Sequence, residues 1–491
     1  MEVGAQWREA WTSTLLGKAT LSIPAAIEQW WKTFCRGLDR SFMDAARDSQ
    51  IVAAAQSLCV ASDIACEGLG VTPSKDPFLA ISQAVLDRNE RRSFCMSITP
   101  DKLAVLGKQH TPQRGCTIRS LTHHLSLYPP SEIKAYWAGP FEPAMGELDV
   151  LNLLLLPWPT DVKASDFRIV ARRLSDAGSD TSHRYFEYHP SSHVAPTVMG
   201  RRVACALANA RAHADKIHGI VLPELALNSE QFEAVERVAV AEGAMLISGV
   251  RTPASESPKG MPLNMCAIQP LGLTAVPLES RRRRSRLWDE TRRVQLKHHR
   301  WCLDRNQIMQ YGLGGRLPAS RDCWERIFLG ERTIYFVTLG SWLTVCVLLC
   351  EDLARQDPVA DVIRAVGPNL VFALLMDGPQ LRHRWPSRYA SVLAEDPGCS
   401  VLPLTSLGMA KRSRPRDSEE TPAADRSSVI ALWRDAIFGE RELLVEPNHD
   451  ACVLSLVCRS TREYTLDGRG EDQSHFPVFA GAYSFRSEGD S

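Results

Sequence analysis

The chain has 491 residues, enough for one large folding unit and a smaller one, because a single core stops growing at about 250–300 residues. Lysine plus arginine and aspartate plus glutamate balance at 57 each, so no global charge draws the protein to nucleic acid or a membrane surface, and any such partner must use a local patch. No apolar run approaches the roughly 18–20 residues that span a bilayer, and the start MEVGAQWREAWTS carries acids in place of a basic leader, so the expectation is a cytoplasmic protein with no membrane partner. The 14 cysteines show no repeated CxxC or Cys/His ligand spacing, which points to reduced thiols, no metal site and no disulfide framework.

Residues 1 to about 92 read as helical: AAIEQWWKTFCRGLDRSF and DSQIVAAAQSLCVASDIACEG carry apolar residues at three- and four-residue intervals and end near glycine. The proline- and glycine-bearing YPPSEIKAYWAGPFEPAMG reads as a linker near residues 128–146. The expected organisation is therefore a mainly helical domain with linker over 1–145, an α/β domain over 146–460 and a tail over 461–491. In the α/β domain, DVLNLLLLPWP has the continuous apolar run of a strand buried on both faces. Helix RRVACALANARAHADK leads into strand GIVLPELAL, and helix SEQFEAVERVAVAEG into strand AMLISGVR. Further on come TIYFVTL, WLTVCVLLC, NLVFALLM, CSVLPLTSL, SVIALWR and DACVLSLV. Strands alternating with helices define a layered α/β domain, whose chemistry gathers at strand ends.

Three reactive side chains stand at such ends. Glu224 closes IVLPE, Lys297 lies in RRVQLKHHRW, and Cys350 closes WLTVCVLLC, while Cys346 inside that run reads as packing. A thiol near its ordinary pKa of about 8.5 is mostly protonated at neutral pH and needs a base to become a nucleophile. A carboxylate can take that proton and later activate water, and an ammonium can hold the oxyanion formed when a carbonyl or nitrile carbon is attacked.

The blocks GIVLPELALN, VQLKHHRW and VLLCEDLAR resemble, in order, the three signature blocks of the nitrilase or carbon–nitrogen hydrolase superfamily, over about residues 146–460. The resemblance implies a four-layer α-β-β-α sandwich, homo-oligomerisation through that domain, an amide or nitrile substrate, and a site needing no metal or organic cofactor. Carried over by position, it makes Glu224 the general base, Lys297 the oxyanion-stabilising cation and Cys350 the nucleophile. Many members carry a second glutamate after the lysine. The stretch KHHRWCLDRNQIMQYGLGGR offers instead Asp304, Gln307 and Gln310. Glu351 and Asp352 read as supports of the nucleophile turn, or, for Asp352, as a solvated acid at a helix start. His298 and His299 read as loop histidines outside the chemistry.

From Arg281 to Arg305, nine arginines and Lys297 stand against Asp289, Glu290 and Asp304, a net of +7. Arg281, Arg282, Arg283, Arg284 and Arg286 form either a solvated insertion or an arm contacting the phosphates of a nucleic acid or an acidic partner. Residues 103–137 resemble, more faintly, the region joining a reverse transcriptase to a nitrilase-like domain in bacterial antiphage-defence proteins. No Y-x-D-D polymerase signature is present, so that resemblance implies a reverse transcriptase on another chain, with Arg114, Arg119, His123 and His124 as contacts to nucleic acid or partner. Two functions follow: a cysteine-dependent hydrolase of a non-peptide carbon–nitrogen bond, working through a thioester or thioimidate, or a nitrilase-fold scaffold or sensing subunit of a defence complex.

Overall fold

The computed structural model describes residues 1–68, 94, 103–109, 111–112, 117–128, 132–141, 148–170, 184–273, 288–340, 342–413, 427–465, 468 and 470–488. The arginines of 281–286 and Arg114 lie outside the described residues. The amino-terminal helices are α1 (Glu2–Leu15), α2 (Ala25–Cys35), α3 (Phe42–Arg47) and α4 (Ser49–Ala65). Asp48 caps α4 by accepting the N–H groups of Gln50 and Ile51. Strands β1 (Ala104–Gly107) and β2 (Leu125–Tyr128) then pair antiparallel.

Next in the chain come β3 (Ile133–Phe141), β4 (Val150–Leu155), β5 (Phe167–Ile169) and β6 (Arg184–Tyr188). Helix α5 (Pro196–Ala210), strand β7 (Gly219–Asn228), helix α6 (Ser229–Ala241) and strands β8 (Met245–Thr252), β9 (Leu263–Gln269) and β10 (Arg293–Leu296) follow. Then come β11 (Cys302–Leu303), α7 (Arg305–Gln310), β12 (Cys323–Glu325), β13 (Arg332–Leu339) and β14 (Leu343–Leu349). The remaining elements are α8 (Asp361–Val366), β15 (Leu370–Leu375), α9 (Trp385–Glu395), β16 (Ser400–Thr405), α10 (Leu407–Arg412), β17 (Val429–Asp435), β18 (Gly439–Leu444), β19 (Ala451–Tyr464) and β20 (Gly470–Phe485).

Two seven-stranded sheets result, in orders β10-β9-β8-β7-β4-β19-β20 and β18-β17-β16-β15-β14-β13-β3. Successive residues of a strand face opposite ways, and both faces here are apolar. In β14, Val345, Val347 and Leu349 join Leu153, Val221 and Ile247 in the core between the sheets, whereas Cys346 and Leu348 pack with Val362, Ile363 and Leu393 of α8 and α9. On the other sheet, Leu154, Ile220 and Leu246 pack with Val203, Leu207 and Val235 of α5 and α6. The layers therefore run α-β-β-α, as the resemblance implied, with the amino-terminal helices as an addition. Cys346 is packing, as read from its place inside the strand.

The stretch read as a linker contains β3, which pairs parallel with β13 at the edge of one sheet. The stretch read as a tail contains β20, which pairs along β19 at the edge of the other. Prolines and glycines masked the first, and the second lacks the apolar run of a fully buried strand.

Arg119 is a second correction. It is buried, not a surface contact: its Nη1 donates to the carbonyls of Arg364 and Ala365, 2.8 Å each, at the end of α8, and its Nη2 to that of Gln109. Burial pushes its pKa down to about 10. A cation at a helix carboxyl end satisfies carbonyls that have no partner within the helix. His123 and His124 are likewise buried. The backbone N–H groups of His123, His124 and Leu125 all donate to the carboxylate of Asp63, at 2.8, 2.8 and 3.0 Å, so α4 is tied to the start of β2. Among the described residues, no helix is long and apolar enough to cross a membrane.

Candidate active site

Glu224 enters the site through an irregular strand. The pairing of β7 with β8 shifts register between Leu222 and Leu227, and Leu225 takes a φ of 57°, a left-handed conformation unusual for leucine. This bulge re-aims the side chain, a common use of bulges beside active sites. Gly249 on β8 permits it, since a Cβ there would lie 2.4 Å from the Pro223 carbonyl oxygen and 2.5 Å from the Glu224 Cα.

Lys297 follows β10, whose Gln295 side chain reaches the opposite sheet: Nε2 donates to the Val347 carbonyl at 3.0 Å, and Oε1 accepts the Tyr335 N–H at 3.3 Å. The Lys297 side chain is fully buried. Its Nζ lies 2.8 Å from Glu224 Oε1 and 2.7 Å from Glu325 Oε2. Asn264 completes the cluster: its Nδ2 lies 2.8 Å from an oxygen of each glutamate, and its backbone carbonyl accepts the Lys297 backbone N–H at 2.8 Å. The Trp301 N–H donates to Glu325 at 3.1 Å. Burial alone would drive the lysine toward neutrality, but Glu224, Glu325 and the Cys350 sulfur outweigh it and hold the ammonium well above the ordinary lysine range. Burial raises Glu224, with Lys297 opposing and Glu325 adding to the rise. Glu224 Oε2 is buried with no hydrogen-bond partner among the described residues.

Cys350 comes directly after β14 with a φ of 45°, at the head of a 3-10 turn over Cys350–Ala354. Its thiol is raised first by burial and then by Glu224, while Lys297 pulls it down, so it lies within electrostatic reach of both. Asp352, fully buried, accepts the backbone N–H groups of His298 and His299. It thus supports the lysine turn as well as its own, and the solvated reading of Asp352 fails. His298 Nε2 lies 2.9 Å from the Thr333 carbonyl oxygen. Glu351 is raised mainly by burial and sits 3.6 Å from Arg355.

The residues offered in place of a second glutamate stand elsewhere. Asp304 and Gln307 form the capping box of α7, and Gln310 donates to Ser413 Oγ at 2.8 Å. The carboxylate against Lys297 is Glu325, nine residues beyond the stretch in which it was sought. Its only sequence signal is a charged residue inside the short strand CWE. Asp377, two residues past β15, was also missed. It accepts a hydrogen bond from Tyr311 Oη and pairs with Arg384 Nη2 at 2.7 Å. Among the described residues, no group of three or more His, Cys, Asp or Glu is placed to hold a metal ion.

The chain is thus a four-layer α/β sandwich with a buried Glu–Lys–Glu cluster beside a strand-end cysteine. Its structure is similar to those of nitrilase-superfamily proteins. A double mutant of the amidase from Nesterenkonia sp. AN1 in complex with acrylamide is 12% identical, with a TM-score of 0.34, covering 63% of this chain and 91% of that one. Saccharomyces cerevisiae Nit3, a member of branch 10 of the nitrilase superfamily, is 10% identical, with a TM-score of 0.34 over 60% and 86%. A carbon–nitrogen hydrolase from Helicobacter pylori is 11% identical, with a TM-score of 0.32 over 60% and 86%. No protein-family model and no curated protein matches the sequence.

Proposed function

We propose that the protein is a cysteine-dependent hydrolase of a non-peptide carbon–nitrogen bond, in an amide or a nitrile. The observation that carries this reading is the Lys297 ammonium held between Glu224 and Glu325 at 2.8 and 2.7 Å, all three side chains buried, with Glu224 and Lys297 in electrostatic reach of Cys350. A buried charge cluster costs several kcal/mol in desolvation, and packing alone gives no reason to place it at a strand-end thiol.

Glu224 takes the Cys350 proton as the sulfur attacks the carbonyl carbon, and Lys297 Nζ stabilises the resulting oxyanion. A donor in that position contributes about 3–4 kcal/mol of barrier lowering. Collapse of the intermediate breaks the C–N bond, and the proton held by Glu224 passes to the leaving nitrogen, which departs as ammonia or an amine. Glu224 then removes a proton from water, the hydroxide adds to the thioester, and the carboxylic acid leaves as the thiolate recovers the proton. A nitrile adds the thiol across its C≡N bond to give a thioimidate, which takes up one water and expels ammonia to reach the same thioester. Glu325 keeps Lys297 charged and in place.

Incubation of the wild-type chain with simple amides, read by ammonia release and by mass spectrometry of the intact protein, tests the proposal. An acyl adduct that appears on wild type and is absent from Cys350→Ala supports it. Ammonia release persisting in Cys350→Ala overturns it.

A further inference from the structure

The surroundings of the candidate nucleophile have a charge character of their own. Strands β14 and β15 run parallel, with Leu349 level with Leu374, so Asp377 leaves the sheet at the same end as Cys350, on the neighbouring strand. Its backbone is fixed by Thr405, whose Oγ1 accepts the Asp377 N–H at 3.2 Å and donates to the Asp377 carbonyl at 2.6 Å. At the next position, a Cβ on Gly378 would lie 2.6 Å from Ser413 Oγ and 2.9 Å from Arg384 Nη1, so the turn has no slack.

Tyr311 and Arg384 both address Asp377 Oδ1. Oδ2 is buried and has no hydrogen-bond partner among the described residues. Leaving a buried acceptor unsatisfied is costly, and ionised acceptors cost more than neutral ones, so a structural ion pair does not by itself explain the vacant oxygen. The surrounding charge is lopsided: Glu224, Glu351 and Asp377 all oppose thiolate formation at Cys350, whereas Lys297 alone favours it and is itself shared with Glu325; Arg384 pairs with Asp377, and Arg355, half-exposed, with Glu351. A neutral donor would satisfy Oδ2 alone, whereas a cation would also offset the surplus of carboxylates.

We propose that Asp377 Oδ2 receives a positively charged group of the substrate, so that the preferred substrate is an amide or nitrile whose acyl chain carries an ammonium or guanidinium. The inference rests on the hydrolase reading for the substrate's reacting group, but not for the charge preference, which is a property of binding. A cation there also cancels one of the charges that oppose thiolate formation at Cys350.

The test uses three amides of matched shape: 5-aminopentanamide, hexanamide and the monoamide of adipic acid. Binding to full-length Cys350→Ala is measured by calorimetry, and hydrolysis by the wild type through ammonia release. Binding of 5-aminopentanamide about tenfold tighter than hexanamide, with the adipic monoamide weakest, supports the inference. Asp377→Asn, made on the same background, then brings the first two within about threefold of each other. Equal binding, a preference for hexanamide, no binding of 5-aminopentanamide at millimolar concentration, or a preference untouched by Asp377→Asn overturns it. If Asp377→Asn does not fold, the three-amide comparison on the Cys350→Ala protein decides alone. Selective binding without wild-type hydrolysis counts against the hydrolase reading and leaves the Asp377 site standing. Hydrolysis without charge preference does the reverse.

Discussion

The Asp352 carboxylate sits 2.9 Å from His299 Nδ1 and also accepts the His299 backbone N–H at 3.0 Å. One side chain from the turn after Cys350 thereby fixes the turn after Lys297, so the candidate nucleophile and cation share a single mount. Asp352→Ala leaves the buried N–H of His298 and the half-buried N–H of His299 without their acceptor, at about 1–3 kcal/mol for the buried group and less for the other. The expected result is a fall in urea midpoint of that order together with a loss of hydrolysis larger than stability explains. Retained turnover with lowered stability would separate the two effects and remove Asp352 from the positioning of Lys297.

Lys297→Met is expected to destabilise the protein by about 3–5 kcal/mol, because it leaves Glu224 and Glu325 buried together without a counter-charge. Adding Glu325→Gln to it should restore part of that loss, giving a double mutant more stable than the sum of the single changes predicts. Chemical denaturation of the four proteins measures the coupling. Strict additivity would show that the ions do not interact as their distances indicate.

Gly249→Ala introduces a methyl group where backbone atoms of Pro223 and Glu224 already stand at 2.4 and 2.5 Å. The bulge must move, and overpacking of this kind costs about 1–3 kcal/mol. Activity is expected to fall by more than tenfold, since catalytic groups tolerate little misplacement. Circular dichroism should still report the native strand content.

Asp63 supplies a pH dependence with a definite sign. Burial raises its carboxyl, but the N–H groups of His123, His124 and Leu125 and the nearby His124 charge outweigh burial and hold it below the ordinary 3.8. Between the folded value and 3.8 the unfolded chain binds more protons, so stability falls as pH falls. The contribution is present above 3.8 and disappears as pH drops through the folded value. Acid titration followed by the far-ultraviolet helical signal should show wild type losing stability in that window, and Asp63→Asn losing less there while being weaker at neutral pH.

Much of this architecture was legible because burial on both faces leaves a mark in the sequence. Strands β7 and β14 are continuous apolar runs, and Glu224 and Cys350 stand out because a reactive group interrupts each run or ends it. Lys297 was less legible, since β10 is a short strand with a mixed pattern and a lysine among basic residues carries little signal until the neighbouring blocks are read with it. Glu325 and Asp377 were not read out because their meaning is relational. Glu325 matters through a lysine and an asparagine far away in the chain, and Asp377 through the register of two parallel strands. Arg119 misled for the opposite reason: a charged residue is ordinarily a surface residue, and nothing local reveals that the carbonyls ending α8 wait to receive it.

The placement of β3 and β20 bears on where the chain can be cut. Each sheet is finished on one side by a strand from outside residues 146–460, so a fragment limited to those residues would bare the hydrogen-bonding edge of β13 in one sheet and of β19 in the other. Open edges of that kind are templates for intermolecular pairing. The excised α/β region is therefore expected to come out as soluble aggregate or precipitate, and a fragment running from residue 103 to 488, which also keeps Arg119 on the end of α8, to remain dispersed.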